Sequence, residues 1–174
     1  MIRIILMLMA CSMLGASCSH KYYIVRHAEK EATSGAANTK NNNPSLSEAG
    51  KVRALVLREE LKDKHISYIY STNTARTIST ATPLSEASGV KIQLYNSTDS
   101  LKEFIAKLKS IKKGNVLIVG HSNTVDDIIN QLCNEVKLSA DLPESQYDNL
   151  FIITYKGKKV SFKRSKYGYP SNPE

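Results

Sequence analysis

Two histidines in this chain each follow a short apolar run. Tyr22-Tyr23-Ile24-Val25 leads into Arg26-His27, and Val116-Leu117-Ile118-Val119 leads into Gly120-His121. Such runs read as strands, and in open α/β sheets the carboxyl ends of strands face the ligand crevice. Both imidazoles are therefore expected at one site. Arg76, shortly after the strand-like Ile66–Tyr70, would join them. Two imidazoles and two guanidiniums on one sheet edge repel one another unless an anion neutralises them. A phosphoryl group suits the cluster: arginine offers a planar fork for its oxygens, and the helix N-termini after Ser71 and after His121 add partial positive charge. Each piece alone is ordinary, since a single strand-end histidine is more often structural and Arg76 alone would be a helix-surface charge. Their order and spacing carry the reading.

The elements that must position these groups follow from periodicity. Thr33 to Ser45 is polar and reads as a loop. Ser47 is the expected N-cap of a helix over 48–62, with Val52, Leu55, Val56 and Leu61 on its inward face. A second strand spans 66–70. A helix over 74–88 stops at Gly89, and Pro83 within it is expected to kink or split it. A third strand covers 90–95. A helix over 101–111 turns Leu101, Phe104, Ile105 and Leu108 inward and is ended by Gly114. Val116–Val119 is the most apolar strand and the candidate sheet centre. A helix from about Thr124 to Asn134 follows. Phe151–Tyr155 and Lys159–Lys163 flank Lys156-Gly157-Lys158 as a hairpin, and Tyr167–Glu174 reads as irregular. The alternation predicts an α/β fold, a three-layer α/β/α sandwich with a mainly parallel central sheet and a C-terminal hairpin.

At 174 residues, with 41% hydrophobic and 23% charged residues, the chain fits one globular domain. Its formal charge of +8 favours anionic partners. The lysines are spread, apart from the stretch Lys156–Lys166, and no aromatics interleave with them as a base-stacking surface requires, so nucleic acid is not the expected partner. Residues 1–18 stand apart. Met1-Ile2-Arg3 is a short basic start, Ile4–Leu14 is apolar, and Gly15-Ala16-Ser17 precedes Cys18. That is the layout of a secretory signal, too short for a comfortable membrane span. It resembles a bacterial lipoprotein signal in which Cys18 becomes the lipidated N-terminus, with Cys11 as the competing position. Residues 19–174 then form the single domain, exported to the periplasm or cell surface and held on a membrane by lipid. Cys133 is left as the lone thiol, in a helical apolar pattern where an inert cysteine is the usual outcome. No cysteine or histidine spacing suits zinc, and neither metal nor cofactor is expected.

Tyr23-Ile24-Val25-Arg26-His27-Ala28-Glu29 resembles the signature of the histidine phosphatase superfamily, which includes phosphoglycerate mutases, protein phosphohistidine phosphatases and phytases. Leu46-Ser47-Glu48-Ala49-Gly50 is similar to the family's Leu-Thr-x-x-Gly segment, Tyr70-Ser71 through Ala75-Arg76-Thr77 to its second arginine element, and Val119-Gly120-His121-Ser122-Asn123-Thr124 to the segment with its second histidine. The matches run in family order over roughly residues 21 to 155. The resemblance implies a phosphoglycerate mutase-like fold, His27 as nucleophile through a phosphohistidine, and Arg26, Arg76, a protonated His121 and Asn123 as phosphate contacts, without metal. Ala28 stands where the family more usually has glycine.

The proton donor is less clear. Ser122 occupies the place where phytase-like members carry an aspartate, so that pattern fails. Members with a glutamate after the third strand direct attention to Asp99 and Glu103, of which Asp99 is nearer the strand end; its plainer role is to cap the helix before Leu101. Glu29 is expected to pair with Arg76 or a loop lysine. Loops 31–45 and 139–149 are expected to shape the pocket. The resulting expectation is a phosphatase acting on small phosphomonoesters outside the cytoplasm. Mutase activity fits less well because long insertions are lacking. The rivals are a phosphohistidine protein phosphatase and a non-catalytic anion-binding lipoprotein of the same fold.

Overall fold

The computed structural model describes residues 19–32, 43–97 and 100–171. Its elements in order are β1 (Ser19–Arg26), α1 (Glu48–Leu61), β2 (Ile66–Thr72), α2 (Ala75–Ser88), β3 (Ile92–Tyr95), α3 (Leu101–Ser110), β4 (Asn115–Gly120), α4 (Val125–Cys133), β5 (Asn149–Lys156) and β6 (Lys159–Lys166). The sheet order is β3-β2-β4-β1-β5-β6, so the two histidine-bearing strands lie side by side at its centre. They pair in parallel, with Arg26 opposite Gly120, and the His27 N–H donates to the Gly120 carbonyl at 2.9 Å. That register sets His27 and His121 abreast at the carboxyl edge. β5 and β6 are the antiparallel excursion, longer than periodicity alone suggests because polar residues at each end continue the ladder.

Alternation along the central strands feeds two cores. Tyr22, Ile24, Val116 and Ile118 face α3 and α4, packing on Phe104, Leu108, Ile128, Ile129 and Leu132. Tyr23, Val25, Leu117 and Val119 face the other way, onto Leu57, Leu61, Ala81 and Leu84 of α1 and α2. A sheet apolar on both faces requires a helical layer on each, which is why the fold has three layers. Gly89, at φ 71°, closes α2 in the left-handed conformation. α2 runs without a break through Pro83. Hydroxyls on that helix turn back on its own carbonyls, Thr80 to Arg76 and Thr82 to Ile78 at 2.7 and 2.9 Å.

The inward face of α1 differs from the expected one. Val52 and Leu55 are exposed, and the buried positions are Gly50, Arg53, Ala54, Leu57 and Leu61. The stripe is shifted by a buried charge. Arg53 Nε donates to both carboxylate oxygens of Glu29 at 2.8 and 2.9 Å, and its Nη1 donates to the Tyr167 carbonyl at 3.1 Å. Glu29 thus pairs with Arg53, not with Arg76 or a loop lysine, because α1 passes directly over the segment that follows β1. At that crossing a Cβ on Gly50 would lie 2.1 Å from the Glu29 carbonyl oxygen. Ser47 caps α1, accepting from Gly50 N at 3.2 Å, while its own N–H donates to the Glu29 carbonyl at 2.9 Å. The Leu-Ser-x-x-Gly segment is therefore a device for laying a helix against the strand end that carries His27.

Candidate active site

His27 leaves β1 in a buried position, 3% exposed. Its Nδ1 lies 2.7 Å from the Ala28 carbonyl oxygen. A carbonyl only accepts, so Nδ1 carries the proton and the lone pair stays on Nε2. Burial is the main cause that pushes the imidazole pKa down to about 3; the Ala28 bond opposes it, and the charges of Arg26 and Arg76 and the neighbouring His121 add to it. The ring is neutral at physiological pH. Ala28 is itself fully buried, and its N–H donates to Thr80 Oγ1 at 2.9 Å, pinning the strand end onto α2.

Arg26 is almost completely enclosed by the segment before β5. Its Nη1 donates to the carbonyls of Pro143 and Glu144 at 3.0 and 2.9 Å, its Nη2 to Glu144 Oε2 at 2.8 Å, and the Tyr147 ring lies 4.2 Å from the guanidinium carbon. Its Nε is buried and unpartnered. Arg76, in the first turn of α2, also has a buried, unpartnered Nε, while its Nη2 donates to His121 Nδ1 at 3.4 Å. Since that nitrogen accepts, Nε2–H of His121 is the donor to Thr72 Oγ1, at 2.8 Å. Burial, with Arg76 and Arg26 next, pushes His121 down to about 4. In the free site His121 is therefore neutral, because a desolvated pocket and two guanidiniums oppose a further proton.

The imidazoles of His27 and His121 stand 5.5 Å apart, edge to face. With Arg26 and Arg76 they line a cavity of about 300 Å³ whose wall also includes Lys30, Ser122, Asn123 and Glu144. The four groups expected from sequence do converge, and Asn123 lies on the wall beside them. Asp99 and both lipidation candidates, Cys18 and Cys11, fall outside the described residues. Glu103 is exposed in the first turn of α3 and is not part of the cavity wall. Glu144 and Tyr147 were legible only as members of a pocket-shaping loop. Glu144 bridges the site: besides Arg26 it accepts from Ser122 Oγ at 2.7 Å and lies 3.7 Å from Lys30, and its carboxylate is held below the usual range, first by the Ser122 bond.

Chemically, the arrangement offers one buried lone pair, two orphaned guanidinium donors and an excess of positive charge. The sequence profile of the histidine phosphatase superfamily (branch 1) matches residues 22–104, the segment that holds Arg26, His27 and Arg76. Phosphoserine phosphatase 1 of Hydrogenobacter thermophilus is 38% identical over 72 residues, 41% of this chain; the matched segment spans about a third (34%) of that protein. The protein histidine phosphatase SixA complexed with tungstate superposes with a TM-score of 0.64 at 14% identity, over 84% of this chain and 96% of that one. Phosphoglycerate mutase from Bacillus anthracis does so at 0.61 and 18% identity, over 86% of this chain and 93% of its own. A mycobacterial glucosyl-3-phosphoglycerate phosphatase gives 0.57 at 12% identity, over 86% and 98%. The likenesses to solved structures establish the fold. Over residues 22–104 the chain is similar to the histidine phosphatase superfamily (branch 1).

Proposed function

We propose that the chain is a phosphomonoesterase that turns over through a phosphohistidine on His27. The observation that carries this reading is the pair of buried, unpartnered guanidinium N–H groups, Arg26 Nε and Arg76 Nε, on residues that share a cavity with His27. A buried donor without an acceptor is costly, and an arriving phosphoryl oxygen relieves both at once. The sequence similarity to a phosphoserine phosphatase points to the same reaction class.

The His27 Nε2 lone pair attacks phosphorus; the N–P bond forms as the ester P–O bond breaks, and the leaving oxygen takes a proton from a carboxylic acid. Asp99, which follows β3, is the proposed donor. Water then attacks the phosphohistidine, the N–P bond breaks toward Nε2, and the water proton returns to the same carboxylate, releasing orthophosphate. Arg26 and Arg76 hold the equatorial oxygens and stabilise charge in transit, with Asn123 as a further contact. A bound phosphate dianion offsets the guanidinium charges that help hold His121 neutral. His121 then regains its proton in the complex and supplies the third cation. The segment Pro143–Tyr147 occupies the outer edge of Arg26 and leaves Nε as its remaining donor.

For localisation we propose export and lipid anchoring at Cys18, with Cys11 as the alternative, supported by the signal-like layout of residues 1–18. Mass spectrometry of the mature N-terminus tests it. Hydrolysis of an activated aryl phosphate tests the activity, because a good leaving group does not need the acid. Wild type is expected to turn over and His27→Ala to lose at least about 10³-fold. Equal rates in the two proteins would eliminate His27 as nucleophile.

A further inference from the structure

The end of the sheet opposite the catalytic cavity carries a concentrated positive charge that phosphate chemistry does not use. β1, β2, β3 and β4 all begin there, β5 ends there and β6 starts there. Exposed lysines occupy the connections: Lys64 before β2, Lys112 and Lys113 before β4, and Lys156, Lys158 and Lys159 around the β5–β6 turn. Side-chain bonds tie the strand starts into one surface, with Lys21 N donating to Asn115 Oδ1 at 2.8 Å and Asn115 Nδ2 donating to the Lys64 carbonyl at 2.6 Å. Burial first, and then the charge of Lys112, lowers the pKa of His20, the second residue of β1. Opposing charge is sparse. Glu59 and Glu135 pair with Lys62 and Lys137 at 2.9 and 2.6 Å, while Glu60 and Glu86, exposed in the last turns of α1 and α2, reach this end on the side of the sheet away from α3. Asp63 is the remaining carboxylate in the connections that precede strands at this end.

Ser19, the first residue of β1, pairs with Lys156, so the described chain begins beside the lysine-rich hairpin. We propose that this basic end is a docking surface for anionic phospholipid, which seats the lipid-anchored domain upright with its cavity facing away from the bilayer. The orientation rests on the anchoring reading above. Each lysine brought within a Debye length of an anionic headgroup adds attraction, and several added to one acyl anchor turn a loose tether into a fixed pose. β1 has eight residues. At about 3.3 Å per residue it holds the catalytic edge roughly 25 Å above the surface, open to soluble substrate.

The test uses the full lipidated chain reconstituted in vesicles of phosphatidylcholine, alone or mixed with phosphatidylglycerol. The sequence has no tryptophan, so Val160→Trp gives a single indole near the hairpin tip. Asp141→Trp gives one near the α4 N-terminus, at the catalytic end. Lipids brominated near the headgroup are expected to quench the tip probe several-fold more than the distal probe in anionic vesicles. About 0.5 M potassium chloride is expected to return that quenching to the level of neutral vesicles. The combination Lys112→Glu, Lys113→Glu, Lys158→Glu and Lys159→Glu is expected to do the same, with its melting temperature and aryl phosphatase rate unchanged. Equal quenching at the two ends, or tip quenching that is the same in neutral vesicles, overturns the proposal. So does a DNA duplex that strips the tip from anionic vesicles at equal phosphate concentration, which would assign the surface to nucleic acid. Flotation of wild type at high salt separates the two readings. A chain that fails to float lacks the anchor, whereas one that floats there and yet shows an unquenched tip on anionic vesicles at low salt refutes the docking surface.

Discussion

Lowering the pH from 7.5 to 5.0 should destabilise this protein through His27 in a measurable way. In the unfolded chain the imidazole titrates near 6.5; in the fold, burial first and then the neighbouring charges push it to about 3, against the Ala28 bond. Below pH 6.5 the unfolded chain takes up a proton that the native state refuses, so stability is full above that value and is lost progressively down to about pH 3. Each pH unit in the window costs the native state about 1.4 kcal/mol, so at pH 5.0 the loss from His27 is about 2 kcal/mol. His121, pushed down to about 4 mainly by burial, shifts in the same direction, and because both proteins keep it the comparison removes its share. Urea unfolding of wild type and His27→Asn at both pH values isolates the effect, since other titrating groups remain in both proteins. Wild type is expected to lose about 2 kcal/mol more than the variant over this interval. Equal losses would mean that His27 takes up a proton in the fold as easily as in water. The desolvated setting assigned to the nucleophile would then have no basis.

Three other outcomes follow from the same geometry. Gly50→Ala should cost about 2–3 kcal/mol, visible as a lowered melting temperature, because its methyl would fall 2.1 Å from a backbone oxygen that helps set the position of His27. Glu144→Gln removes the negative partner of Arg26. The Glu144 side chain is 62% exposed, so solvent screens the pair, and inorganic phosphate should inhibit only about 2- to 5-fold more tightly; unchanged or weaker inhibition would contradict a carboxylate that competes for the same cation. Arg76→Ala should lower kcat/KM for aryl phosphates by about 10²–10³ while leaving the melting temperature near that of wild type, read by steady-state kinetics and circular dichroism.

The layered fold and the meeting of His27 with His121 could be read in the sequence because two apolar runs end in the same way, and parallel pairing of β1 with β4 aligns those ends. The position of Arg76 followed from the short step between β2 and α2. What escaped was set by tertiary partners. Leu61 and Val56 face inward as expected, but Val52 and Leu55 were misplaced because Arg53, a residue hydrophobicity places outside, is held inside by Glu29 and the Tyr167 carbonyl. Pro83 was expected to kink or split the helix, and α2 is not split: it runs on through it. Glu144 and Tyr147 lie more than a hundred residues from Arg26 along the chain, in a segment without periodicity, and no local pattern marks them as its clamp. The neutrality of His121 in the free site has the same origin. Strand ends reveal that it meets two guanidiniums, but how far the pocket is desolvated appears only in the folded packing.

The most direct test of the site is rapid quenching of the enzyme during turnover of a radiolabelled phosphomonoester, followed by peptide mapping of any acid-labile, base-stable phosphoryl group. The label is expected on the β1 peptide at His27, forming faster than steady-state turnover, and absent from His27→Ala. Turnover without a trapped phosphoenzyme, or a label on any other residue, would contradict the central assignment.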